Sequence, residues 1–303
     1  MSARSRTAAA VERRGVPPTL LAVAHGTRDA DGVAVVERLA ARVRALRPEQ
    51  RIELCSLDLV SPDLPQALAR LRGEVIVVPL LLGTGYHVRV DIPGALAAAP
   101  RVRARLARPL GPHPLLADAL ADHLAAAGRP PGGGPVVLAA AGSSDPTANA
   151  DAAVMASLLH RRLAAAGPAG PTRGRGAGGD EVIPAYLSMA SPTPAEAVAA
   201  LRSQGHRHIT VAPYLLGPGF FARRAASAGA DVTSAPVGSH ESVARLVLRR
   251  YDEARGALRP AAPGSAHGQG RRGAGAAPLR RPGEVTAPPG SGLPPGRIAA
   301  SRR

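Results

Sequence analysis

The chain has 303 residues, room for two ordinary domains of roughly 100–150 residues each, and 38 basic against 22 acidic side chains give a formal charge of +16. All the basic residues are Arg, and with no Lys, no Trp, four Tyr and two Phe the chain lacks both a lysine-bearing phosphate loop and the aromatic platforms on which single-stranded bases stack. A single cysteine, Cys55, excludes an internal disulfide and a thiolate-rich metal site and suits a reducing compartment.

Residues 1–16, with four Arg against one Glu, carry no hydrophobic periodicity and read as a disordered arm. No apolar signal-peptide core follows them, and no run approaches the ~20 apolar residues that span a bilayer, so a cytoplasmic protein without membrane contact is expected. From there, short aliphatic runs alternate with Ala/Leu/Arg segments of helical spacing. Strands are predicted at 20–24, 52–57 and 75–82, and helices at 33–46, 65–71 and 115–126. The pattern repeats with strands at 136–140, 182–187 and 209–216 and helices at 148–166, 194–202 and 242–254. Residues 167–179 (GPAGPTRGRGAGG) interrupt the second series and read as a loop insertion. Residues 255–303, rich in Gly, Pro and Ala with nine Arg against one Glu, cannot bury enough apolar area to offset ordering and read as a disordered tail. Between arm and tail, 25 Arg face 20 acids, so most of the charge lies at the ends. Nucleic-acid binding through those ends stays as a disfavoured alternative.

Alternating strands and helices point to an α/β fold with parallel sheets flanked by helices. The two series are also alike in sequence. LAVAHGTRD (21–29) aligns with VLAAAGSSD (137–145), LDLVSPDLPQAL (57–68) with LSMASPTPAEAV (187–198), VVPLLLGTGYHVR (77–89) with VAPYLLGPGFFAR (211–223), and LGPHP (110–114) with VGSHE (237–241). Four blocks in one order indicate duplication, with domains at 17–130 and 131–254.

Ligands of open parallel sheets bind beyond the carboxyl ends of the strands. His25 follows a predicted strand directly and precedes a Gly turn, and His87 follows another through Gly83 and Gly85. Imidazole is a common ligand for divalent metals and a common proton acceptor, so the pair suits either task. The aligned residues of the second half are Ala141 and Phe221, which can do neither, while the Gly, Pro and Leu framework persists. The imidazoles are therefore not a requirement of the fold, and they disappear together, as a jointly working pair would. If they work together, they should lie within roughly 7 Å of each other. His113 is matched by His240 in the half without the pair, which points to a structural role. His206 and His208 look exposed, and Cys55 reads as a small buried hydrophobe.

LLAVAHGTRD (20–29), SPDLPQAL (61–68), VVPLLLGTGYHVRVDIP (77–93) and LGPHPLL (110–116) together resemble the class II tetrapyrrole chelatases of the sirohydrochlorin chelatase type, in their longer, two-domain bacterial form. The resemblance is specific over about 17–126 and weaker to about 254. It implies two duplicated chelatase-like domains, the first carrying the active site. It also implies a lyase that inserts Co2+ or Fe2+, in some members Ni2+, into sirohydrochlorin or a related tetrapyrrole without ATP, in sirohaem or cobalamin biosynthesis. The metal would be substrate, with no permanently bound cofactor. By the same analogy His25 is metal ligand and proton acceptor, and His87 is the second ligand. Leu82, Gly83, Thr84, Gly85 and Tyr86 would line the tetrapyrrole pocket. Family members often carry Glu where this chain has Ser61, which leaves Ser61 as a substrate contact or a helix cap, and Asp63 or Asp58 as substitute proton acceptors. Arg28 and Arg89, beside the two His, are candidates to bind the substrate's carboxylates, the alternative being solvation or pairing with Asp29 and Asp91. Asp91 either orients His87 or caps the next helix. A carrier that binds tetrapyrrole or metal without inserting one is the other reading, and either a monomer or a homodimer is compatible.

Overall fold

The computed structural model describes residues 16–166 and 180–256. The arm up to residue 15, the 167–179 insertion and the tail beyond 256 lie outside the described residues. The first repeat runs β1 (Thr19–Ala24), α1 (Ala30–Leu46), β2 (Ile52–Ser56), α2 (Leu64–Arg70), β3 (Gly73–Pro79), a π-helical turn (His87–Asp91) leading into α3 (Ile92–Ala97), β4 (Val102–Leu106) and α4 (Pro114–Ala126). The second runs β5 (Val136–Ala140), α5 (Pro146–Ala166), β6 (Val182–Tyr186), α6 (Pro194–Ser203), β7 (Thr210–Tyr214), α7 (Phe220–Ala226), β8 (Val232–Thr233) and α8 (Glu241–Gly256). Each repeat forms a four-stranded parallel sheet, in the orders β2-β1-β3-β4 and β6-β5-β7-β8: the parallel pairing is as the sequence pattern predicts, with one strand more per repeat.

Side-chain alternation sorts each central strand between two cores. Leu20, Ala22 and Ala24 of β1 join Val136, Leu138 and Ala140 of β5 in one apolar core shared by both repeats. Leu21 and Val23 face a smaller core on the outer side of the first sheet, and Val137 and Ala139 its counterpart in the second. Because both faces are covered, these strands are apolar throughout. Local signals fix the helix starts. Asp29 accepts from the backbone N–H groups of Asp31 and Gly32 at the start of α1. Asp63 and Gln66 form a capping box on α2, repeated by Thr193 and Glu196 on α6.

The edge strands β4 and β8 are absent from the sequence pattern, and β3 and β7 end earlier than it predicts. Leu80–Leu82 continue the apolar run of β3 past Pro79, but Leu80 and Leu82 pack into the shared core and Leu81 accepts from Leu110 N–H at 2.8 Å, so burial there reflects the join between repeats. The β4 strand escapes the pattern because it is a sheet edge: Arg103 and Arg105 break its apolar run.

The last helix of each repeat packs on the sheet of the other: α8 lies against β3 and α1, and α4 against β7 and α5. Tyr251 donates its hydroxyl to Pro18 O at 2.7 Å, and the buried Arg250 donates to Pro109 O and Leu110 O at 2.8 and 3.0 Å. His123, the counterpart of Arg250, reaches Val237 O at 3.4 Å, and Val237 is the counterpart of Leu110. Reciprocal contacts of this kind characterise a two-fold interface, here folded into one chain.

His113 and His240 begin the two exchanged helices, each accepting at Nδ1 from the N–H two residues on, at 3.1 and 3.2 Å. Burial, reinforced by Arg250, holds the His113 imidazole down at about 4. The neutral ring is therefore part of the folded state, whereas the unfolded chain protonates near 6.5. Its contribution to stability should be complete above about pH 6.5 and lost as pH falls towards 4. His123, lowered by burial, acts in the same direction. Thermal unfolding between pH 7 and 4 should show a smaller loss in His113→Asn, which keeps an acceptor without the titration. Superimposable pH profiles would refute this account.

Candidate active site

In the strand order β2-β1-β3-β4 the chain leaves β1 towards β2 and β3 towards β4, opening a crevice between the carboxyl ends of β1 and β3. His25 follows β1 directly. The next residue, Gly26, has φ +98°, and a Cβ there would stand 2.0 Å from the Asp58 carbonyl oxygen. Only glycine lets the His25 turn lie this close to the loop after β2. That loop is held by Leu57 N–H on Ala24 O at 2.9 Å, and it brings Asp58 Oδ1 within 3.9 Å of His25 Nδ1. Gly142, φ +85°, makes the same approach to Ser188 O in the second repeat.

His87 opens the π-helical turn after β3, and its ring centroid lies 4.6 Å from that of His25, edge to face. Asp91, one turn on, stands with Oδ2 2.6 Å from His87 Nδ1. A carboxylate only accepts, so Nδ1 carries the proton and Nε2 keeps its lone pair. Asp91 makes no side-chain cap on α3, which decides between its two expected roles. Both imidazoles thus face an aspartate on the Nδ1 side. In the second repeat the four positions are Ala141, Phe221, Ser188 and Ala225: carboxylates and imidazoles are lost together. Among the described residues no cluster of three or more His, Cys, Asp or Glu is arranged to hold a metal.

The pair lies on one wall of a cleft of about 940 Å³ between the repeats. Ser61, Leu82, Gly83, Gly85, Tyr86 and Arg28 line it. Thr84 and Arg89 do not. Thr84 gives its backbone N–H and hydroxyl to Asp151 Oδ2 at 2.9 and 2.7 Å, and Arg89 donates to Thr84 O and pairs with Asp145 of the second repeat. Sequence adjacency to His87 pointed to substrate, but the side chain of Arg89 is engaged across the join. Its counterpart Arg223 pairs at 3.0 Å with Asp29, the counterpart of Asp145, so two reciprocal clamps hold the repeats together. Arg223 holds the Asp29 carboxyl below its ordinary range, with help from Gly32 N–H. Thr147 N–H, then Arg89, does the same for Asp145. Both clamps were present in the aligned blocks, yet their exchange between repeats requires the three-dimensional arrangement. Arg28 makes no ion pair among the described residues; its counterpart is Ser144.

Ser61 lines the cleft, and Asp63, committed to the capping box of α2, is not free to act as a base. Cys55 is 2% exposed and burial pushes its thiol up to about 12, which leaves it inert.

The family model described as CbiX matches residues 19–127 and again 135–254. The chain belongs to the CbiX family. The two matches coincide with the repeats and restate the duplication. Among relatives of this CbiX-family chain, the sirohydrochlorin ferrochelatase of Priestia megaterium is 30% identical over 213 residues, 66% of this chain and 73% of that protein. The sirohydrochlorin cobaltochelatase of Methanococcoides burtonii is 30% identical over 115 residues, covering 33% of this chain but 88% of the relative, so that relative has about the size of one repeat. The solved structure of SirB from Bacillus subtilis with Fe3+ superposes with a TM-score of 0.63 at 25% identity, over 78% of this chain and 95% of that one.

Proposed function

We propose that this CbiX-family protein inserts Co2+ or Fe2+ into sirohydrochlorin, with His25 and His87 as the metal-delivering pair. The observation that carries the reading is the 4.6 Å approach of two imidazoles in one repeat of a cleft large enough for a flat macrocycle. Insertion removes two pyrrole N–H protons and moves the ion from weak protein ligands to a stronger macrocyclic set. Two imidazoles with coordination positions left open suit that transfer, whereas four closed ligands would retain the ion. His25, more than half exposed, is the proton acceptor on the cleft wall. Asp58, 3.9 Å from its Nδ1, takes the part of the second carboxylate-borne acceptor that Ser61 cannot play. Arg28 is the guanidinium placed for a substrate carboxylate. No helix among the described residues is long and apolar enough to cross a membrane, and we place the reaction in the cytoplasm.

Asp91 fixes the His87 tautomer in this scheme. Asp91→Ala should weaken Co2+ binding by about 10- to 100-fold, read by calorimetry, and Asp91→Asn, which still offers an acceptor oxygen, should lose less. Incubation of the protein with metal-free sirohydrochlorin and Co2+ or Fe2+, followed by absorbance, tests the function itself. Accelerated insertion is the expected result. Binding of macrocycle and metal at the uncatalysed rate would make the protein a carrier.

A further inference from the structure

Eight large apolar side chains are exposed among the described residues, and three of them, Leu59, Tyr86 and Phe220, line the cleft between the repeats. Leu59 has φ +65° and sits in a three-residue turn closed by Val60 N–H on Asp58 O at 2.8 Å. Left-handed backbone is unfavourable for a bulky L-residue and suits glycine. The side chain is 53% exposed, so the fold gains little burial in return. Met189, its counterpart, repeats the conformation at φ +59° and is 73% exposed. Tyr86 and Phe220 are counterparts as well, 65% and 68% exposed. Exposed apolar side chains thus persist at these positions in both repeats, with Phe220 but not Met189 on the cleft wall, while imidazoles and carboxylates persist in one.

That asymmetry has a chemical logic. Metal and protons are exchanged at one side of a macrocycle, but a flat conjugated ring presents apolar area to both walls of a cleft. Building on the chelatase reading above, we infer that Leu59 and Phe220 are substrate-binding residues that grip the tetrapyrrole plane from opposite repeats, so that the second repeat serves as a binding half without chemistry. The backbone strain at Leu59 keeps an apolar side chain presented to the cleft where a strain-free glycine would present none.

The test uses the full chain and its variants Leu59→Gly and Phe220→Ser, with Val154→Ser as a control for an exposed apolar residue outside the cleft. Leu59→Gly should unfold at the same or a higher temperature, because glycine accepts the positive φ. It should nevertheless bind metal-free sirohydrochlorin, followed by fluorescence, about 5- to 30-fold more weakly, as expected for one apolar side chain removed from a contact. Phe220→Ser should lose a similar factor. In both, KM for the macrocycle rises while kcat at saturation and the calorimetric affinity for Co2+ alone stay within about twofold, and Val154→Ser matches the parent throughout. Variants that bind sirohydrochlorin as tightly as the parent would overturn the grip and leave the chelatase reading standing. A parent that does not bind sirohydrochlorin would overturn both.

Discussion

His25→Ala and His87→Ala should each lower the catalysed rate of Co2+ insertion into sirohydrochlorin by about 10²- to 10⁴-fold, the range for loss of a positioned acid–base group. The double variant should be little worse than the more damaging single one, because residues that act as a unit do not contribute additively. Stability should change by no more than about 0.5 kcal/mol: the side chains are 56% and 36% exposed, and neither fills a core. The informative comparison is between kinetics and Co2+ binding. If His87 is a ligand, with its Nδ1 held by Asp91, its loss should lower metal affinity together with rate. Loss of His25 should cost more in rate than in affinity if it also receives a proton. Unchanged initial rates in both variants would refute the assignment. The converse change, Ala141→His with Phe221→His, should create no second site. Ser188 and Ala225 supply no carboxylate there, and Tyr186, where the first repeat has Ser56, is buried beneath and hydrogen-bonded to Asn149 O at 3.2 Å.

The repeat makes much of this legible in the sequence itself. Matching blocks help to separate framework from chemistry, because polar residues of the cleft kept in only one copy need a reason other than the shared fold. His25 and His87 stand out that way, and Asp58 and Asp91, set against Ser188 and Ala225, carry the same signal. What a linear alignment lacks is the exchange between copies. Arg89 and Arg223 look like internal duplicates, as do Asp29 and Asp145, yet each Arg pairs with the Asp of the other repeat. The helices α4 and α8 have ordinary amphipathic sequences, and nothing local says that each packs on the other repeat's sheet. The β4 strand is hidden for a simpler reason: its Arg residues belong to an edge, where charge is an asset.

The exchange also explains why one ion pair should matter more to stability than any residue of the cleft. Arg129 lies just after α4, where the first repeat hands over to the second, and pairs with Asp180 at 2.6 Å, with both side chains buried, 3% and 7% exposed. The same guanidinium donates to Gly134 O at 2.7 Å, and the Asp180 carbonyl accepts from His160 Nδ1 at 2.7 Å, tying the connection to β5 and α5. Arg129→Leu would leave a carboxylate buried without its partner, a change that costs about 3–5 kcal/mol. For a folded region of this size that corresponds to a fall in Tm of roughly 6–20 °C. Asp180→Leu should be similarly damaging through the stranded guanidinium. The double variant Arg129→Leu/Asp180→Leu should recover most of the loss, because desolvating two charges consumes much of what their attraction returns. A double variant as unstable as the sum of the singles would show that the pair acts through the backbone contacts to Gly134, and that the handover between repeats depends on the guanidinium's geometry more than on its charge.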